Sequence, residues 1–196
     1  MRTRKFLLTC ALIVVALFSV NSVNAQVEYS DNRVSSDAVT VNLKFKPIQS
    51  IQINPAQNTV DFVYDTPEEY TDGLDGADKT LTKNDHLTVY HSGPFDVKVT
   101  STGFTDGSNS LTGDHVTVKA SKGASMTRDN FTYSDPVSLA AVTGASLIES
   151  TGGGMGLTFD ITYNHTGFAN GDYINKDFDS AEKVYSATVT YTIQSR

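Results

Sequence analysis

The sequence predicts an all-β chain: a single immunoglobulin-like antiparallel β-sandwich of about seven to nine strands with Greek-key connections. Three observations carry this. Nearly every apolar segment beyond residue 38 alternates with period two rather than 3.6. The segments are rich in Val, Thr and Tyr, whose branched or ring side chains fit a pleated, half-buried surface. Clusters of Gly, Asn, Asp and Ser punctuate them where turns are needed.

The first 25 residues stand outside the pattern. Arg2, Arg4 and Lys5 form a basic start, Phe6 to Val20 is an apolar run, and Val23-Asn24-Ala25 is a small-residue cleavage site. This is the layout of a secretory signal peptide, too short in its apolar part for a membrane span. The mature chain is then expected to begin at Gln26, exported to the periplasm, the cell surface or the medium. Leu7-Leu8-Thr9-Cys10 is a poor lipidation box, because the long apolar run follows Cys10 instead of preceding it. Removing residues 1–25 takes away three cations and the only cysteine, and moves the formal net charge from −7 to −10. An acidic chain has no footprint for nucleic acid or anionic lipid. Without disulfides, it must stand on its core or on assembly with neighbours.

Residues 26–37 form a polar lead expected to be flexible, and 38–196 the sandwich domain. The domain opens with "AVTVNLKFKPIQSIQI", residues 38–53, in which Val39, Val41, Leu43 and Phe45 share one face. Pro47 has no amide donor, so it splits the stretch into two limbs. Burying the four apolar side chains is worth about 1.5–3 kcal/mol each, or about 6–12 together, comparable with a whole domain's net stability. The limb is therefore expected to pair, either in the chain's own sandwich or in a neighbour's, and simplicity favours its own.

The later strands follow in order. Val60, Phe62 and Tyr64 share a face, as do Leu87, Val89 and His91, then Phe95, Val97 and Val99. Val116, Val118 and Ala120 form the next such set, followed by Leu157, Phe159, Ile161 and Tyr163. Tyr185, Ala187, Val189, Tyr191 and Ile193 form the last. The one helix-like candidate, residues 134–150, contains Thr143-Gly144 and reads as one or two short strands. His91-Ser92-Gly93-Pro94 reads as a tight hairpin, and Asp106-Gly107-Ser108-Asn109 as a loop. Residues 65–84 and 164–183 read as long connections, a length that points to function or disorder.

No chemistry of turnover is indicated. G-x-S-x-G and H-E-x-x-H are absent, and His86, His91, His115 and His165 read as strand-edge or loop polar residues. Of five glutamates, Glu28 lies in the lead and Glu68-Glu69 in a loop, while Asp61, Asp96 and Asp160 fall on solvent faces. That leaves no paired carboxylates for glycoside cleavage. Asp72, Asp75 and Asp78 recur with glycines between them, a weak calcium candidate whose spacing matches no standard loop. Gly152-Gly153-Gly154-Met155-Gly156 lacks the Lys and the helix of a phosphate cradle and reads as a flexible hairpin. Asn130-Phe131-Thr132 and Asn164-His165-Thr166 fit the glycosylation sequon. Phe168, Tyr173 and Phe178 would offer rings for stacking on a sugar, so a glycan-binding module using residues 164–183 is the rival reading, against which stands the absence of Trp. No cofactor is expected.

An exported, disulfide-free sandwich with a polar lead, an alternating "VTVNLKF" arm at 39–45 and a strand-forming "YSATVTYTI" at 185–193 resembles the major pilins of the alternate chaperone–usher pathway and related small sandwich proteins of the bacterial surface. The resemblance implies a non-enzymatic, fimbrial-like structural or adhesive role. It also implies that Val39, Val41, Leu43 and Phe45 would contact another subunit by completing its incomplete sandwich. Partners would be copies of the chain or other surface proteins.

Overall fold

The computed structural model describes residues 37–72, 74, 79–111, 115–166 and 182–196. The chain divides into two units, residues 1–44 and 45–196. In the first, residues 37–44 carry no regular secondary structure and are exposed throughout.

The second unit is an all-β sandwich. Its strands are β1 Gln49–Ile53, β2 Lys79–His91, β3 Phe95–Ser101, β4 Val116–Lys122 and β5 Phe131–Tyr133, then β6 Val137–Ser138, β7 Ala145–Ser150, β8 Gly154–His165 and β9 Val189–Ser195. Among the described residues, a short 3-10 turn spans Pro55–Gln57 and one α-helix, α1, spans Pro67–Asp72. One sheet has the order β1-β2-β8-β4-β6 and the other β5-β7-β3-β9, with every pairing antiparallel. Alternate residues of both sheets meet in one core. Val89, Val118, Phe159 and Ile161 come from the first sheet, and Phe95, Val97, Val99 and Ile148 from the second, all fully buried. No described helix is long and apolar enough to cross a membrane.

Period-two alternation thus predicts the strands at 87–91, 95–101, 116–120 and 157–163, and the two short strands within 134–150, as found. Other expectations need correction. The apolar alternation of 59–64 does place Val60, Phe62 and Tyr64 half-buried and Asp61 and Val63 in water, but this segment is not a strand. The supposed long loop 65–84 is shortened from both sides: α1 occupies 67–72, and β2 begins at Lys79 because Thr80, Thr82 and Lys83 pair with Asn164, Thr162 and Ile161. Strand β9 starts at Val189 rather than Tyr185, with Ser186 held only by an isolated bridge to Thr105.

Two predicted hairpins are corners. After His91-Ser92-Gly93-Pro94 the chain leaves one sheet for the other, since β2 is already flanked by β1 and β8 and has no free edge for β3. The Gly152–Gly156 run likewise carries the chain from β7 to β8 in the opposite sheet. There a Cβ on Gly153 would lie 2.5 Å from the His91 carbonyl oxygen and 2.6 Å from the Ser92 carbonyl carbon, so only glycine fits between the corners.

Candidate interaction site

The apolar arm is the first surprise. Val39, Val41, Leu43 and Phe45 are 86%, 81%, 80% and 90% exposed. The expectation that the chain's own sandwich buries them is therefore overturned, and the reason lies in register. β1 pairs with β2 from Ile53↔Leu87 to Gln49↔His91. Ser92 then donates its amide to the Ile48 carbonyl and accepts the Ile48 amide on its hydroxyl. Beyond that point β2 has turned the corner, so residues before Pro47 have no strand to follow.

A complementary feature lies at the other end of the chain. Among the described residues β9 is an edge strand, bonded only to β3. Its pairing runs from Phe95↔Ser195 to Ser101↔Val189. In the same register, Thr102 donates to the Thr188 carbonyl and Arg196 donates to the Pro94 carbonyl. Bonded and non-bonded pairs alternate in an antiparallel ladder, so even-numbered residues of β9 turn their backbone groups to β3. Those of Val189, Tyr191 and Ile193 point to the open edge. The Gln49 side chain confirms the phase by donating to the Ile193 carbonyl at 2.9 Å. This contact, with the Ser195 hydroxyl on the Gln49 amide oxygen, closes one end of the edge, and no described strand pairs with the Val189–Tyr191 end.

Beside that end lies a cavity of about 170 Å³ between the sheets. Val60 and Phe62 line it together with Val189, Tyr191, His86 and Leu139. Tyr163 and Tyr191 share a hydroxyl–hydroxyl hydrogen bond of 2.7 Å at its wall. Burial pushes both phenols up, so both remain protonated. His86 stacks edge-on against both rings, at centroid distances of 6.2 and 6.0 Å, and its Nδ1 meets the Gln57 amide oxygen at 3.1 Å. Desolvation, then the Lys83 charge, hold His86 below its ordinary pKa.

Sequence parity places His86 outside, opposite to Leu87. A register shift between Lys83 and Leu87 reverses this. Asp85 takes a left-handed φ of 48° and donates its amide to the Asp160 carboxylate at 2.7 Å. His86 and Leu87 are then both buried. Nothing in the local sequence except the short polar run Lys83-Asn84-Asp85 marks the bulge.

His91 and His165 stand at strand ends as expected, closing β2 and β8, but both are buried. Each packs on an aromatic ring, His91 on Phe95 at 5.3 Å and His165 on Phe62 at 5.2 Å. No group of three or more His, Cys, Asp or Glu side chains among the described residues is placed to hold a metal. Asp72 is exposed at the end of α1, whereas Asp75 and Asp78 lie outside the described residues, as do Phe168, Tyr173 and Phe178.

No family model matches this chain, and neither a curated protein nor a solved structure matches it.

Proposed function

We propose that this protein is an exported, non-catalytic structural subunit of a cell surface, pilin-like in that its copies join by strand pairing. The observation that carries the reading is the arm. Four alternating apolar side chains stand in water, although burying them would be worth about 6–12 kcal/mol. Alternation on an extended backbone suits addition to a sheet edge, where main-chain bonds supply affinity and every second side chain supplies specificity. The β9 edge fits as receiver: its outward backbone groups beyond the Gln49 contact belong to Val189 and Tyr191, whose side chains face the sandwich interior. An arm of a second copy laid along β9 would send Val39, Val41, Leu43 and Phe45 inward and leave Lys44 and Lys46 in solvent.

Light scattering of the chain from Gln26 across a range of concentrations tests this. Association that increases with concentration, and is lost in Val41→Glu/Leu43→Glu, is expected. A plain monomer at every concentration, or association unaffected by the two charges, overturns the reading.

A further inference from the structure

Residues 54–70 are hydrogen-bonded at both ends and held in the middle by side-chain packing without a backbone ladder. At one end the Asn54 amide donates to the His86 carbonyl at 2.8 Å, and the Gln57 side chain donates to the Asn84 carbonyl at 3.0 Å. At the other, the Tyr64 hydroxyl meets His165 Nε2 at 3.2 Å, and the Tyr64 ring packs on Tyr70 at 5.3 Å. Between them, among the described residues, no backbone hydrogen bond ties 59–63 to a neighbouring strand. What keeps the middle down is the packing of Val60 and Phe62 on the core. These two side chains line the same cavity as Val189 and Tyr191 of the open β9 edge. Segments without a ladder and with few apolar anchors are the ones that open locally at low cost.

We infer that residues 58–63 are a strap which covers the cavity beside β9 in the single subunit and swings out when an incoming strand takes that edge, with the Tyr64–His165 contact as its latch. The inference rests on the strand-pairing reading above and adds how the receiving site is regulated. Val60 and Phe62 occupy the apolar space an entering strand needs, so entry requires that they move. The strap also keeps the cavity covered until a partner arrives, which limits the exposed apolar surface that would otherwise favour indiscriminate contact.

Thiol accessibility tests the strap directly, because the chain from Gln26 has no cysteine of its own. Val60→Cys, half-buried, is compared with Val63→Cys, whose site is exposed. The probe is a synthetic peptide of residues 37–47. Without it, Cys at 60 is expected to react with a thiol reagent at least about tenfold more slowly than Cys at 63. Adding Tyr64→Phe is expected to raise the rate at 60 about tenfold and to speed peptide uptake by a similar factor, an opening shift of about 1.4 kcal/mol. Saturating peptide is expected to bring Cys at 60 close to the rate of Cys at 63. Equal rates without peptide, or no response to Tyr64→Phe, overturn the strap. Peptide that binds while Cys at 60 stays protected overturns it too, yet leaves strand pairing intact. Peptide that binds neither the parent nor the Tyr64→Phe chain overturns the strand-pairing reading, and the strap's role falls with it.

Discussion

His86 is a buried side chain that couples the fold to pH near neutrality. It is 3% exposed, and its pKa is lowered by desolvation first and by Lys83 second. The folded chain therefore holds it neutral, while the unfolded chain takes up a proton as pH falls below its ordinary value of 6.5. Stability from this residue is present above that value and declines below it, by at most about 1.4 kcal/mol per pH unit. Urea unfolding at pH 7.5 and 5.5 checks this: His86→Gln should show a smaller loss between the two than the parent, and an equal loss would refute the assignment. Tyr133 works in the opposite direction. Burial, then Asp129 and Asp160, push its phenol up to about 12, so its contribution is lost as pH rises from 10 towards that value. In the core, Phe159 is fully buried and meets Phe131 edge-on at 5.2 Å. Phe159→Ala should cost about 3–5 kcal/mol by chemical denaturation.

Among elements, the arm and the corners behave differently. The arm's apolar face touches water, so Val41→Glu/Leu43→Glu should leave the unfolding free energy of the single subunit within about 0.5 kcal/mol of the parent. The same change should abolish association; a large loss of stability would mean that the arm is buried at home. At the corner, by contrast, the neighbours of Gly153 are backbone atoms of His91, Ser92 and Gly93. They cannot turn aside, so Gly153→Ala should destabilise by about 1–3 kcal/mol, the range for overpacking. β1 was legible as the second limb of the 38–53 stretch because Pro47 marks the break. β5 was not, since Phe131–Tyr133 is only three residues long, too short for alternation to register. The strap shows the converse. Its alternation correctly names the side chains that pack inward, but alternation reports which face is buried and not whether the backbone is paired.

At the scale of the molecule, among the described strands β1 and β2 are the only consecutive pair that bond; each later one in sequence lies in the opposite sheet from the one before it. Such non-local pairing predicts refolding in milliseconds to seconds rather than microseconds, measurable by stopped-flow fluorescence of the tyrosines. By itself the sequence determined the all-β class, the position of most strands and the inward face of each, because side-chain period and burial are local properties of a pleated chain. It also determined that residues 39–45 present an apolar face. Only the tertiary structure decided where that face goes unmatched, which edge stays open and which histidine turns inward. Those outcomes depend on partners distant in the chain: β2 leaves its sheet at His91, β9 has β3 as its one described neighbour, and the bulge at Asp85 forms against Asp160. A sequence records each strand's preference for a face, but an edge is open only by virtue of what the rest of the fold has failed to place beside it.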